Sequence, residues 1–160
     1  MVLKIAVIGA GIIGLSSAVA VQNRLQDASV TIIADRLTRH TTSHGSGGLF
    51  VPEAEGIPEA LGNRWGKDGA EHFFDLATSS ESASSGVSLV SGLELHNGEK
   101  LPPWANFMIN LQDIPQELKP YFLKYYKYGH MFTTAIIEGN KYLPWLTNRY
   151  ITPYTVSLCT

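Results

Sequence analysis

Lys4-Ile5-Ala6-Val7-Ile8-Gly9-Ala10-Gly11-Ile12-Ile13-Gly14 is the stretch whose reading decides the fold of this chain. Ile5 to Ile8 is apolar without alternation, which predicts a short strand buried on both faces, as parallel strands are in α/β proteins. Gly9, Gly11 and Gly14 follow at G-x-G-x-x-G spacing. Beyond them Leu15, Ala18, Val19, Val21 and Leu25 recur at helical intervals, so strand, tight turn and helix follow one another. Each glycine has a task in such a turn. Gly9 can take backbone angles that a Cβ forbids, Gly11 lets the main chain touch a pyrophosphate, and Gly14 lets helix and strand pack closely. The free N–H groups and the positive end of the helix dipole then face the bound anion. A second run, Ser29-Val30-Thr31-Ile32-Ile33-Ala34, predicts another buried strand. It ends at Asp35, about 20 residues past the glycines, where a carboxylate can hold ribose hydroxyls. The glycine motif alone is a weak signal; with both strands, the helix and the acid in place it predicts a dinucleotide site.

The chain has 160 residues, enough for one domain with a real core but short for a dinucleotide enzyme that also carries a substrate domain. Its formal net charge of -2 and the lack of a basic stripe exclude an electrostatic footprint for nucleic acid. No apolar run reaches the roughly 18 residues of a membrane span, and the apolar N-terminus is accounted for as a strand rather than a signal peptide. A single cysteine, Cys159, rules out an internal disulfide and fits a reducing compartment.

Arg36 to Pro52 crowds hydroxyls, glycines and cations between two apolar regions. By composition it is a flexible loop; beside a dinucleotide motif it becomes a second wall of the same site, with donors for phosphate and for a polar ring edge. Asp35 and Arg36 argue opposite ways about the cofactor, since the arginine suits a 2′-phosphate that the carboxylate would repel. From Asn63 a helical face runs through Trp65, Gly69, Phe73, Leu76 and Ala77, with His72 a partly exposed helix residue beside it. Ser79 to Gly86 reads as a solvated connector. Val87–Leu95, Asn106–Leu111 and Phe132–Ile137 are expected strands, Asp113 an N-cap, and Asn140 the cap of a helix in which Pro144 falls in the first turn. The aromatics Tyr121, Phe122, Tyr125, Tyr126 and Tyr128 are expected in core and strand-edge packing. This half has no second βαβ repeat and reads as a cap or substrate region.

Several of these pieces together resemble the FAD-dependent D-amino-acid oxidases, and within that family the D-aspartate oxidase branch. They are Ile5 to Ser16, Ala34-Asp35-Arg36 with Thr38, Thr41-Thr42-Ser43 leading to Gly47-Gly48-Leu49, Leu89 to Gly92, and Tyr142-Leu143-Pro144-Trp145-Leu146. The likeness runs to about Tyr150, and Ile151 to Thr160 does not align. It implies an α/β fold: a Rossmann-like FAD-binding βαβ unit with a mixed α+β cap or substrate region, truncated. The implied division is 1–52 for the N-terminal part of the FAD-binding domain, 53–150 for a partial cap or substrate region, and 151–160 for a divergent end. The implied reaction takes a hydride from the α-carbon of a D-amino acid to the flavin, yielding a 2-oxo acid, ammonia and hydrogen peroxide with dioxygen as oxidant. By the same likeness Gly9, Ala10, Gly11, Ile12, Ile13 and Gly14 would hold the pyrophosphate, and Asp35 with Arg36 the adenosine side. Thr41, Thr42, Ser43, Gly47, Gly48 and Leu49 would line the rest of the cofactor path, and Phe50 and Val51 would approach flavin and substrate. An apolar Val51 tilts the substrate toward D-aspartate or D-glutamate.

The chain departs from the family at His44-Gly45-Ser46 and stops near the family's midpoint, before its substrate arginine and tyrosines. None of Arg24, Arg36, Arg39, Arg64 or Arg149 matches that arginine, and an unpaired substrate carboxylate loses a bidentate bond worth a few kcal/mol. The expectation is an inactive chain on its own, with no catalytic residue and no metal ligand assigned. Two other readings stand beside it: a non-catalytic nucleotide-binding or interaction module, and an NADP-dependent reductase resting on Arg36 and the glycines. The expected partners are a small D-amino acid and dioxygen, with no nucleic acid or membrane and with homo-oligomerisation left open. The family's peroxide product suggests a peroxisome, whereas Leu158-Cys159-Thr160 is no Ser-Lys-Leu type signal and points to the cytoplasm.

Overall fold

The computed structural model describes residues 2–53, 55–98 and 101–149, with the backbone of 156–158. The divergent end at 151–160, including Cys159, otherwise lies outside the described residues. The chain divides into two units and passes between them repeatedly: one holds 1–48, 83–86 and 137–160, the other 49–82 and 87–136.

In the first unit, strand β1 (Lys4–Ile8) lies parallel to β2 (Ser29–Ala34), with Lys4 opposite Ser29 and Ile8 opposite Ile33. Helix α1 (Ile12–Arg24) joins them. The backbone of β6 (Val156–Leu158) runs parallel along the other side of β2, Ile32 facing Val156. Leu15 and Ala18 of α1 and Val30, Ile32 and Ala34 of β2 are buried. The same unit contains α5 (Gly139–Arg149), which packs against α1 and buries Tyr142, Leu143, Trp145 and Leu146. The expected burial of β1 on both faces is not observed. Its side chains alternate, Ile5 and Val7 half-buried and Ala6 exposed, and Ile8 is 86% exposed. β1 is the edge of the sheet as ordered among the described residues. Pro144 sits in the second turn of α5 rather than the first, because the helix starts at Gly139.

In the second unit, helix α2 (Glu59–Thr78) packs on strand β3 (Val87–His96), which forms a sheet with β4 (Ile109–Asp113) and β5 (Tyr128–Ile137) in the order β3-β5-β4. Trp104 and Phe132, with ring centroids 5.3 Å apart, and Ala105 form a core cluster that Val51, Met108 and Leu111 flank. β4 and β5 are antiparallel, and the register slips between Ile109 and Gln112, where Asn110 takes φ +52°. Asparagine tolerates that left-handed region better than most residues, which fits a bulge.

Several local expectations change here. The buried stripe of α2 is Gly62, Gly66, Ala70 and Leu76, whereas Trp65 is 52% exposed, because Gly66 admits the Phe107 ring where a Cβ would lie 2.6 Å from it. The serine run is structured: Ser82–Ser85 forms a short helix α3, Ser85 is fully buried, and Ser79 Oγ donates to Leu76 O while accepting from Glu81 N. Asp113 ends β4 and meets His130 Nε2 at 3.3 Å instead of capping a helix; the next helix, α4, is Lys119–Phe122. The aromatics of 121–128 are on the surface, with Tyr121 79% and Tyr125 76% exposed. No helix among the described residues is long and apolar enough to cross a membrane.

Candidate functional site

At the end of β1 the chain turns through Gly9, whose φ of +102° is closed to residues with a Cβ and whose N–H donates to Ile33 O. A Cβ built at Gly9 meets nothing within 4 Å, so its Cα faces open space. At Gly14 the opposite holds, since a Cβ there would overlap the Gly9 carbonyl. The first residue frees the turn and the second lets α1 close on it. The first turn of α1 has no acidic residue and Gly11 offers no side-chain cap, so no side-chain charge of the helix itself offsets its positive end.

The segment after β2 is built of two tight 3-10 turns, Thr38–His40 and Thr42–Gly45, rather than an open loop. The Thr41 hydroxyl donates to Thr38 O at 2.6 Å, His44 N to Thr41 O, and Ser46 Oγ to Ser43 O. The tie to the helix is Ser43, whose Oγ accepts from Ile12 N at 3.0 Å across 31 residues of sequence. Asp35 and Arg36 form an exposed ion pair at 3.5 Å.

These pieces line an open cleft of about 350 Å³, formed by Gly9, Ala10 and Gly11, by Asp35 and Arg36, and by Thr41, Thr42 and Ser43. His40 joins the lining and was not singled out by sequence; its only sequence signal is its place in the run of cations after β2, and its Nε2 accepts from Arg39 Nε at 3.1 Å. Other expected positions lie elsewhere. Ile12 meets the site through its backbone, Ile13 is 81% exposed, and Gly14 stands behind the turn. Gly47 is exposed, and Gly48, at φ +72°, accepts Ile137 N through its carbonyl. Leu49, Phe50 and Val51 belong to the second unit. Leu49 bridges to Ile136 and Val51 packs on the Trp104 cluster, while Phe50 stacks obliquely on Phe73 at 5.4 Å and its carbonyl accepts the Thr134 hydroxyl.

The residues fit the ADP part of a dinucleotide: a carboxylate to accept from ribose, the Ser43 hydroxyl and the amide end of α1 to meet phosphate, and a glycine turn facing open space. In α5 of the same unit, burial pushes the Tyr142 phenol up to about 12, with nearby Arg149 pulling the other way.

The family model described as FAD dependent oxidoreductase matches residues 4–151. The chain is 36% identical over 151 residues to D-aspartate oxidase of Homo sapiens, covering 91% of this chain and 44% of that protein. It is 31% identical over 149 residues to D-aspartate oxidase 1 of Caenorhabditis elegans, covering 89% and 43%. Among solved structures, iminodiacetate oxidase from Chelativorans sp. BNC1 superposes with a TM-score of 0.57 at 18% identity, covering 91% of this chain and 44% of that one, which shows a shared fold. The chain thus spans less than half the length of the curated relatives it matches.

Proposed function

The chain belongs to the FAD dependent oxidoreductase family, and from that premise we propose that it is the N-terminal portion of a flavin-dependent oxidase acting on D-amino acids, with D-aspartate and D-glutamate favoured. The observation that carries the reading is the cavity between the glycine turn and the Thr41-Thr42-Ser43 wall. FAD, when bound, supplies the two-electron chemistry that converts a D-amino acid and dioxygen to a 2-oxo acid, ammonia and hydrogen peroxide. The residues of this chain bind and orient it. Gly9, Ala10 and Gly11 with the backbone of Ile12 hold the pyrophosphate while Gly14 lets α1 close behind the turn, Asp35 and Arg36 hold the adenosine ribose, and Thr41, Thr42 and Ser43 form the facing wall. In this reading 1–52 contributes to the cofactor domain and 53–150 to a partial substrate region, from which α5 returns to pack with α1.

Substrate binding is a different matter. A cavity of about 600 Å³ in the second unit is lined by Glu53, Glu55, Glu59 and Glu94, which repel a dicarboxylic amino acid. With none of its arginines matching the family's substrate arginine, the chain by itself turns over poorly or not at all, while the enzyme of which it is a portion acts in the peroxisome on a small D-amino acid and dioxygen. The Asp35 carboxylate beside Arg36 would repel a 2′-phosphate, which disfavours the NADP-dependent alternative. The carboxylate-lined cavity favours, as the second reading, a nucleotide-binding module without turnover. Titration calorimetry with FAD and NADPH tests the cofactor; FAD heat with none from NADPH supports the proposal, and no FAD heat overturns it. Reading the transcript past Thr160 and assaying its product for peroxide with D-aspartate, D-glutamate and D-alanine tests the substrate.

A further inference from the structure

Resting on the reading of this cavity as an FAD site, we infer that Gly139 is a positioning residue for the cofactor wall. Lacking a side chain, it lets the first turn of α5 close on the backbone of Ser43 and His44 and so keeps the Ser43 hydroxyl on the Ile12 amide. Ser43 is held between two glycines. A Cβ at Gly11 would lie 2.9 Å from Ser43 Oγ, and one at Gly139 would lie 2.8 Å from Ser43 O, 3.2 Å from His44 O and 3.3 Å from His44 Cα. The neighbours of Gly139 are backbone atoms, which cannot swing aside as a flexible side chain would. The helix cannot retreat easily either, because its entry is pinned by Ile137 N to Gly48 O at 2.8 Å and by Glu138 N to Gly86 O at 2.9 Å.

No other demand on this position calls for glycine. Gly139 is not among the glycines with positive φ, so its backbone angles do not require a glycine. The close approach to the Ser43 turn is what remains. The consequence falls on the cavity, since Ser43 lines it and its hydroxyl, while accepting from Ile12 N, keeps its own hydrogen to donate to an anionic oxygen. A methyl group at Gly139 displaces the turn and takes that donor out of place.

The test uses the 160-residue chain as wild type, Gly139→Ala, Ser43→Ala, Ser43→Thr and the Gly139→Ala/Ser43→Ala double variant. Two quantities are read: the FAD dissociation constant by flavin fluorescence, and hydrogen exchange of the Ile12 amide without FAD. Gly139→Ala and Ser43→Ala are each expected to weaken FAD about fivefold, the scale of one hydrogen bond. The double variant should be no weaker than either single one, and Ser43→Thr, which keeps the hydroxyl, should match wild type. Ile12 should exchange faster in Gly139→Ala and Ser43→Ala and stay protected in Ser43→Thr. Wild-type affinity and exchange in Gly139→Ala overturn the inference, as do effects that multiply in the double variant. Failure of Gly139→Ala to fold while Ser43→Ala folds overturns it too, since the glycine would then serve the fold and not the wall. If the wild type takes up no FAD, the functional reading fails, and the Ile12 exchange of Gly139→Ala still decides the positioning role.

Discussion

Raising the pH from about 10 to 12 should destabilise this chain through one buried phenol. Tyr142 is 2% exposed and stacks on Trp145 with ring centroids 5.4 Å apart. Burial holds its ionisation at about 12 against the ordinary 10.0, with Arg149 as a smaller opposing influence. The neutral form is therefore the one the folded state prefers. Below about pH 10 the phenol is protonated whether the chain is folded or not, and its contribution is fully present. Between about 10 and 12 the unfolded chain loses the proton and the folded chain keeps it, so unfolding releases a proton and stability falls as pH rises. At about 1.4 kcal/mol for each tenfold change, the rise from 10.0 to about 12 costs about 3 kcal/mol by pH 12. Urea melts of wild type and Tyr142→Phe between pH 8 and 12, followed by tryptophan fluorescence, isolate this group, because every other titrating residue is common to both proteins. The difference in unfolding free energy should be flat to about pH 10 and then shift by about 3 kcal/mol in favour of the phenylalanine variant. Parallel curves across the whole range would refute the burial argument.

Gly14→Ala drives a methyl group into the Gly9 carbonyl and should cost about 1–3 kcal/mol of overpacking, seen as a lower melting temperature and as tenfold or weaker FAD binding by calorimetry. Arg36→Gln removes one half of an exposed pair, so melting should move by less than about 0.5 kcal/mol while FAD affinity falls; a stability loss without an affinity loss would contradict the assigned role. Leu143→Ala, at a side chain 1% exposed, should cost about 2–5 kcal/mol in a urea titration, and a value under 1 kcal/mol would show that α5 is not a core helix. Gly66→Leu should destabilise the second unit by overpacking against Phe107, by about 1–3 kcal/mol, measurable as an earlier loss of Trp104 fluorescence.

What could be read from sequence follows from how local the causes are. β1, α1, β2 and Asp35 were legible because strand period, helix period and glycine spacing are properties of neighbours in the chain. The buried face of α2 is not legible locally, since Trp65 looks like the natural core residue, whereas Gly66 in the stripe Gly62, Gly66 and Ala70 admits Phe107 from 41 positions away, and only tertiary packing selects it. The order of the serine run is hidden from sequence, because composition does not reveal that Ser79 and Ser82 hydroxyls satisfy local backbone groups and that Ser85 is enclosed. Aromatic content failed in the same way for Tyr121 and Tyr125, since hydrophobicity says what can be buried and not what is. In the candidate site the glycine turn and the Thr41-Thr42-Ser43 wall were visible as motifs. The bond from Ile12 N to Ser43 Oγ and the lining by His40 were not, because both depend on how two separated segments are brought together.

The passage of the chain out of the first unit after 48 and back at 137 bears on how the protein is made. A nascent chain emerging from the ribosome offers β1, α1 and β2 early, but α5, which buries Tyr142, Leu143, Trp145 and Leu146 in that unit, is synthesised only after all of 87–136. At about 5–20 residues per second, the half-built unit waits several seconds for its closing helix, with its apolar side uncovered. Chaperone occupancy during translation should therefore peak before residue 139 has left the exit tunnel and drop once α5 is out.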